Sequence, residues 1–150
     1  MKRIFISLIM VVVSICSAYA IFDKYTIDRS QLPEEAQQML DQYFPKAKVG
    51  MIKVDKHLLK KTDYDVRLVN GTTIEFSNKG KWTSVDCKSR EVPEELIPKI
   101  IRSKVKKDYP STKVVSIKKK TAAYELGLSD GVILTYNLLG KLTKTSMTDE

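Results

Sequence analysis

The sequence predicts an α+β fold of two tandem repeats, each a helix packed on one face of a roughly four-stranded antiparallel sheet. The first observation is a set of residues that recurs 65 positions later: Pro33, Pro45, Lys48, Val49, Ile52 and Lys53 match Pro98, Pro110, Lys113, Val114, Ile117 and Lys118. The second is a set that recurs after 60 positions: Tyr64, Leu68, Gly71, Gly80 and Lys81 match Tyr124, Leu128, Gly131, Gly140 and Lys141. The first copy therefore carries five extra residues, and an insertion of this size belongs in a loop.

The first twenty residues have the layout of a secretory signal peptide. Lys2 and Arg3 precede an apolar run from Ile4 to Cys16, and Ala18-Tyr19-Ala20 follows. We therefore expect cleavage after Ala20 and a periplasmic or secreted protein. The alternative is a retained membrane anchor, but the apolar run is shorter than the roughly 20 residues that span a bilayer. No stable membrane span is expected after cleavage.

The remaining chain divides at the boundaries of the repeats. We expect a lead-in over residues 21–31, a first repeat over 32–86, a linker and turn over 87–96, a second repeat over 97–145 and a tail over 146–150. After cleavage Cys87 is the only cysteine, so no intramolecular disulfide can form. Each repeat is so short that it would be only marginally stable alone, and we expect the two repeats to share an interface.

Each repeat begins with a predicted amphipathic helix. Pro33 suits the first helical position, Glu34 and Glu35 suit the positive end of the helix dipole, and Pro45 ends the helix. The first apolar stripe comprises Leu32, Ala36, Met39, Leu40, Tyr43 and Phe44. The second lies between Pro98 and Pro110 and comprises Ile97, Ile100, Ile101, Val105 and Tyr109. This spacing of apolar residues is typical of a helix that packs against a core.

Strands follow each helix, and their turns fix the register. Apolar residues alternate in Tyr64-Val66-Leu68 and again in Tyr124-Leu126-Leu128. A two-residue turn at Asn70-Gly71 would mix the two faces of the hairpin. A three-residue loop ending in a left-handed glycine keeps the faces apart. The predicted pairs are Val66 with Ile74, Tyr64 with Phe76, Leu126 with Leu134, and Tyr124 with Tyr136.

The next turn in each repeat follows the same rule. A loop ending at Gly80 places Phe76 opposite Trp82, and a loop ending at Gly140 places Tyr136 opposite Leu142. Strand parity therefore predicts that Trp82 faces the core. The alternative is an exposed interface anchor, the role in which tryptophan dominates many binding energies.

These residues resemble a known family. The helix ending in Tyr-Phe-Pro45, the strand Tyr64-Asp-Val-Arg-Leu-Val-Asn-Gly71 and the segment Ile74-Glu-Phe76 before Gly80-Lys-Trp82 resemble the PepSY-like domain. The tandem arrangement is similar to exported PepSY-like proteins of Bacteroidetes, whose fold is compared with the beta-lactamase inhibitor protein. The resemblance implies a small, non-enzymatic envelope protein and supplies no catalytic residues. A shared fold does not fix function, so lactamase inhibition is not predicted.

The sequence offers no catalytic constellation. His57 is the only histidine, and no serine in a nucleophile motif accompanies it, so a catalytic triad is not indicated. Lys88 and Arg90 could lower the pKa of Cys87, but no base is evident, and a structural thiol is favoured over a reactive or intermolecularly bridged one. Asp65 and Glu75 face each other across a hairpin, but Arg67 lies diagonally across from Glu75 and Lys81 lies on the adjoining strand. That arrangement suits surface ion pairing better than hydrolysis. We expect a protein that is not an enzyme and that needs no cofactor or metal.

The outward positions of the strands supply the candidate interface. The residues predicted to form it are Asp65, Arg67, Glu75, Lys81, Thr83, Thr135 and Lys141. We expect them to hold an unidentified envelope protein or peptide, so the chain would be a binding module or an inhibitor or modulator of an envelope enzyme.

Two alternatives remain open. The formal net charge is +8, with lysines clustered at Lys60-Lys61, Lys104 to Lys107 and Lys118 to Lys120. The chain could therefore bind an anionic glycan or lipid of the envelope. Nucleic acid is not expected as a partner of an exported chain, and the oligomeric state is open. A hydrolase is the other alternative.

Overall fold

A computed structural model of the chain describes residues 23–56 and 62–148. The predicted signal peptide with its cleavage site after Ala20, the loop residue His57, and Lys60-Lys61 lie outside the described residues. Within those two segments, no helix is long and apolar enough to cross a membrane.

The described residues form nine strands and two α-helices. The strands are β1 (Lys24–Thr26), β2 (Val49–Asp55), β3 (Asp63–Leu68), β4 (Thr73–Phe76), β5 (Trp82–Asp86), β6 (Val114–Lys120), β7 (Ala123–Leu128), β8 (Val132–Asn137) and β9 (Leu142–Met147). The helices are α1 (Glu34–Tyr43) and α2 (Lys99–Asp108). A short 3-10 helix precedes each of them, at Arg29–Gln31 and at Glu94–Leu96.

The predicted fold class is wrong. The strands do not form two separate sheets of about four strands, each with its own helix. They form one nine-stranded antiparallel sheet in the order of the chain, and the molecule is mostly sheet. Two pairings overturn the prediction: β5 pairs with β6 through Ser84–Lys118 and Val85–Ile117, and the unpredicted strand β1 pairs with β2. Both pairings cover strand edges that separate sheets would have left open.

The predicted hairpin registers are confirmed. Val66 pairs with Ile74 and Tyr64 with Phe76, while the second pair of hairpin strands matches Leu126 with Leu134. Tyr124 pairs with Tyr136 in the same hairpin. The four turn glycines all have positive φ, between 73° and 89°. A three-residue loop with a left-handed glycine therefore sets the register in each case.

One continuous core lies between the sheet and the two helices. Ala36, Met39 and Leu40 of α1 are buried, as are Ile101 and Val105 of α2. They join the inward strand residues in a single apolar cluster, against which Trp82 packs half-buried. Ile100, on the predicted apolar stripe of α2, is instead 50% exposed.

Candidate functional site

The face of the sheet opposite the helices is the candidate site, and we call it the outer face. One row of residues crosses the sheet on the helical side, and all of its members on β2 to β8 are buried: Ile52, Val66, Ile74, Val85, Ile117, Leu126 and Leu134. Their neighbours along each strand point the other way, because side chains alternate between the two faces of a sheet. Those neighbours line the outer face.

A second row of paired residues crosses the whole outer face, and we call it the central row. Each residue of this row pairs with the next across adjacent strands: Tyr25, Lys53, Asp65, Glu75, Ser84, Lys118, Glu125, Thr135 and Lys144. Nine strands spaced about 4.8 Å apart give this row a length of roughly 38 Å. The row carries both signs of charge along its length.

The acidic part of the central row lies in the first half of the molecule. Asp65 and Glu75 are direct cross-strand partners. Burial, and then the nearby carboxylates of Glu75 and Asp55, raise the pKa of Asp65 above its ordinary value. Like-charged carboxylates on adjacent strands disfavour the ionised form, and a cationic partner group placed here would relieve that cost.

Two lysines of the outer face form ion pairs, and one of them, Lys53, flanks this acidic pair. Lys53 Nζ lies 3.0 Å from Asp55 Oδ1 and 3.2 Å from Asp23 Oδ2, and hydrogen bonds to these carboxylates raise the pKa of Lys53. In the second half Lys120 pairs with Glu125. The charges of Lys53 and Lys120 are thus balanced by nearby carboxylates.

Two shallow depressions lie on the outer face. The first has a volume of about 240 Å³ and is lined by Tyr25, Met51, Lys53, Asp65, Val66, Arg67, Thr73 and Glu75. The second, of about 180 Å³, is lined by Ser84, Asp86, Ser116, Ile117, Lys118, Glu125, Gly127 and Ile133. Gly127 occupies the position related to Arg67 by the 60-residue spacing, and a Cβ there would overlap Ser116 Oγ. The missing side chain helps to open the second depression.

The structure places the predicted interface residues in three environments. Asp65, Glu75 and Thr135 lie in the central row, and Arg67 lies beside it, paired with Thr73. Lys81 lies in the turn that connects β4 to β5, and Lys141 lies in the turn that connects β8 to β9. The backbone carbonyl of Lys81 accepts a hydrogen bond from the Ser77 amide, and that of Lys141 accepts one from the Asn137 amide.

Thr83 lies in a bulge of β5 rather than at a regular outward position. The register shifts between Glu75 and Phe76, and the Thr83 hydroxyl donates to the Glu75 carbonyl at 3.3 Å. The second half repeats this device with Thr143, whose hydroxyl donates to the Thr135 carbonyl at 3.0 Å. A bulge inserts one residue and reverses which side chains face outward beyond it.

The predicted interface lacked six members of the central row, which are Tyr25, Lys53, Ser84, Lys118, Glu125 and Lys144. The signal for Ser84 is present in the sequence: Trp82 and Val85 are both apolar and three apart, a spacing that needs a bulge if both are to face the core. Lys118 enters the row only because β5 pairs with β6. Lys144 follows the second bulge, where exposed Thr145 gives no such signal.

The lysine cluster Lys118 to Lys120 does not form one patch. Lys118 lies on the outer face, and Lys120 pairs with Glu125. Lys119 points to the helical side, where its ammonium lies 3.5 Å from the centre of the Trp82 ring. Burial lowers the pKa of Lys119.

Cys87 is buried, and its surroundings favour the structural reading. Only 2% of the residue is exposed, and burial raises the pKa of its thiol. A raised thiol pKa leaves less of the nucleophilic thiolate at neutral pH. Across the part of the chain that the structure describes, no group of three or more His, Cys, Asp or Glu side chains is placed to hold a metal ion.

Comparison with known proteins gave a match to one protein-family model. A family model described as "Putative beta-lactamase-inhibitor-like, PepSY-like" matches residues 62–144, more than half of the chain. No curated protein matches the sequence.

Three solved Bacteroides structures are similar over most of the chain. A "putative periplasmic protein of unknown function" from Bacteroides vulgatus is 37% identical, with a TM-score of 0.79 over 83% of this chain and 99% of that one. A "putative calcium-regulated periplasmic protein" from Bacteroides thetaiotaomicron is 35% identical, with a TM-score of 0.78 over 83% and 96%. A third, a "putative periplasmic protein" of the DUF2874 family from B. vulgatus, is 33% identical, with a TM-score of 0.78 over 85% and 98%. These relatives confirm the expected periplasmic or secreted location.

Proposed function

The chain belongs to the PepSY-like family, and from this premise we propose that it is an exported, non-enzymatic module that binds a protein or peptide on the outer face of its sheet. The observation that carries the proposal is the central row, a polar strip about 38 Å long on the side of the sheet opposite α1 and α2. Membership of the family accounts for the fold and the location. The function has to be argued from the residues of the site, because proteins that share a fold can differ in function.

The charge pattern of the central row supports a protein partner. Lys53, Lys118 and Lys144 alternate with acidic Asp65, Glu75 and Glu125. A surface that binds a polyanion is expected to be positively charged throughout. A protein partner, by contrast, can place residues of both charges opposite the mixed charges of the central row. The two depressions offer places for side chains of the partner.

The proposed interface includes the residues predicted from the sequence. Asp65, Glu75 and Thr135 lie at its centre, with Arg67 beside them and Lys81, Thr83 and Lys141 toward the turn end of the sheet. We add Ser84, Lys118 and Lys144 to this proposed interface, because they lie in the central row. We propose that this binding inhibits or modulates an enzyme of the envelope.

Two further roles are not part of this proposal. The described residues contain no arrangement that we would assign to hydrolysis. Calcium regulation appears in the description of the B. thetaiotaomicron relative, and it has no support among the described acidic side chains of this chain.

Photo-cross-linking tests the proposal by position. A photoreactive amino acid at Thr73, on the outer face, should cross-link one defined envelope protein when a chain starting at Ile21 is mixed with envelope extract of its source organism. The same amino acid at Gln38, exposed on α1, is the matched control and should not capture that protein. Capture from Gln38 alone would contradict the proposal.

Charge reversal then tests the chemistry of the face. Arg67→Glu with Lys118→Glu should lower the retention of the cross-linked protein at least tenfold, because both residues lie on the outer face. Lys24→Glu with Lys46→Glu changes the net charge equally, at exposed residues away from that face. Equal retention by the two double variants would show that net charge, and not the outer face, governs capture.

A further inference from the structure

An apolar tip projects from the second half of the molecule where β8 turns into β9. Leu138 is 60% exposed and Leu139 is 81% exposed, and Leu142 follows at 40%. Ile100 of α2 is 50% exposed and packs over this turn, because a Cβ at Gly140 would lie 2.8 Å from Ile100 Cγ2. We call these four residues the leucine tip. Exposed apolar clusters of this kind often mark interaction sites.

The turn that carries the leucine tip is held rigidly. The Asn137 side-chain Oδ1 accepts hydrogen bonds from the backbone amides of Leu139 at 3.0 Å and Lys141 at 2.9 Å. The Gly140 amide donates to the Asn137 carbonyl at 2.9 Å. Lys104 Nζ donates to the Gly140 carbonyl at 2.6 Å. The leucines are therefore presented by an ordered turn.

The fold itself does not require leucines at this turn. The positions related by the 60-residue spacing are Asn78 and Lys79, in a turn with the same glycine geometry. The counterpart of Ile100 is Glu35. The first half thus builds the same turn from polar residues, so packing does not account for Leu138 and Leu139. The counterpart of Leu142, by contrast, is Trp82, which packs against the core.

Positive charge surrounds the leucine tip. Helix α2 holds five basic residues and one acidic residue within Lys99–Asp108. Arg102 and Lys106 pair with Glu94, whereas Lys99 and Lys107 are exposed on the same helix. Lys141 and Lys144 are exposed on the other side of the turn. Consecutive leucines within a basic surround are typical of surfaces that enter the headgroup region of an anionic bilayer.

We infer that the leucine tip and the exposed lysines of α2 dock this protein onto an anionic membrane surface. Leu138 and Leu139 enter the boundary between headgroups and acyl chains, and Lys99, Lys107 and Lys141 lie against phosphate groups. Charge complementarity selects this occupant over a second copy of the chain, whose own leucine tip would bring lysines against lysines. Binding is reversible, because two leucines and a few lysines provide much less than a spanning helix.

This docking surface shares Lys141 with the edge of the proposed interface, but its leucines and the lysines of α2 lie away from the outer face. The lysine clusters suggested that the chain could bind an anionic glycan or lipid. The present inference restricts that alternative to lipid, and to the surface formed by the leucine tip and α2. An Arg67→Glu variant, altered only on the outer face, should bind vesicles as the unchanged chain does, so failure of one proposal leaves the other standing.

Vesicle co-sedimentation tests the inference. The chain starting at Ile21 should bind vesicles that contain phosphatidylglycerol, should not bind vesicles of phosphatidylcholine alone, and should dissociate as salt is added. Leu138→Asn with Leu139→Lys gives the turn the first-half residues and should lower binding at least tenfold. This substitution adds positive charge, so a loss of binding cannot be attributed to weaker Coulomb attraction.

Two further variants complete the test. Lys99→Glu with Lys107→Gln introduces the first-half residues on α2 and should both weaken binding and flatten its salt dependence. Val69→Ser removes an exposed apolar side chain elsewhere, replaces it with the second-half residue, and should bind normally. The inference is overturned if the unchanged chain ignores phosphatidylglycerol vesicles at low salt, or if the double leucine variant binds equally. It is also overturned if sedimentation velocity shows that the leucine tip mediates self-association instead.

Discussion

The two helices occupy equivalent places on one sheet, yet α1 is acidic and α2 is basic. Helix α1 has Glu34, Glu35 and Asp41 and no basic residue, whereas α2 has five basic residues and one acidic residue. The ion pair that joins each preceding 3-10 helix to its α-helix is reversed to match. Arg29 lies 2.7 Å from Asp41, and Glu94 lies 2.6 Å from Lys106. Both members of the pair are related by the 65-residue spacing.

This difference separates what the fold needs from what it leaves free. Each half needs an ion pair at the same place, but either polarity serves, because exposed pairs contribute little to stability. Each half also needs a glycine beneath the start of its helix, and here the residue type is the same. Buried contacts define the architecture, and the surface charges are left to serve binding.

The largest expected effect tests the glycines beneath the helices. A Cβ at Gly80 would lie 2.8 Å from the Ala36 backbone nitrogen, whereas the three atoms nearest a Cβ at Gly140 all belong to the Ile100 side chain. We expect Gly80→Ala to lower the free energy of unfolding by about 3 kcal/mol, from left-handed strain and overpacking together. Gly140→Ala should cost about 2 kcal/mol, because the half-exposed Ile100 can move.

Urea denaturation measures these free energies, and Gly71→Ala provides the control. Gly71 has φ of 89°, and a Cβ added to it would meet no atom within 4 Å beyond its chain neighbours, so only backbone strain of about 1 kcal/mol is expected. If Gly140→Ala cost as much as Gly80→Ala, the two helices would be held with equal rigidity, and the proposed difference between the halves would be wrong.

A smaller effect concerns the aromatic residue at the same core position in each half. Phe76 and Tyr136 are both buried, and no described residue forms a hydrogen bond with the Tyr136 hydroxyl. Burial raises the pKa of Tyr136. We expect Tyr136→Phe to raise the free energy of unfolding by about 1 kcal/mol, since it removes a buried hydroxyl without a partner.

The reciprocal substitution sharpens this test. Phe76→Tyr places a hydroxyl in the first-half core and should cost about 1–3 kcal/mol in the same denaturation assay. A destabilising Tyr136→Phe would mean that the hydroxyl is satisfied, and the two core positions would then differ in kind.

The smallest effect concerns the acidic pair of the outer face, which the second half lacks. Asp65 and Glu75 correspond to Glu125 and Thr135. The pKa of Asp65 is raised in the folded state, so the folded state holds its proton more tightly than the unfolded state does. Stability therefore falls as pH rises from the ordinary aspartate pKa through the raised one. We expect Asp65→Asn to raise the melting temperature at pH 7 and to leave it unchanged at pH 3.

Thermal unfolding followed by circular dichroism at both pH values provides the measurement. Glu125→Gln is the matched control, and because Glu125 pairs with Lys120 it should not gain stability at pH 7. A gain for Glu125→Gln equal to that for Asp65→Asn would indicate a general response to removing negative charge. The acidic pair would then have no special role.

The hairpins were predictable because their information is local. A glycine with positive φ and a three-residue loop fix which residues pair, and the apolar alternation of Tyr64 to Leu68 fixes which side is buried. The same reasoning placed Trp82 toward the core. The same reasoning gave the wrong position for Thr83, which lies in the bulge of β5. The position of a bulge depends on the partner strand as much as on the sequence of the strand that contains it.

The helices, the hairpin registers, the turn glycines and the resemblance to the PepSY-like family could all be predicted from the amino-acid sequence. The pairing of β5 with β6 and of β1 with β2, which joins the nine described strands into one sheet, became apparent only in the folded structure. Edge pairing is a long-range choice between backbones, and backbone groups carry no residue-specific signal. The same pairing decided the candidate site, since Lys118 joins Ser84 in the central row only where the two halves meet.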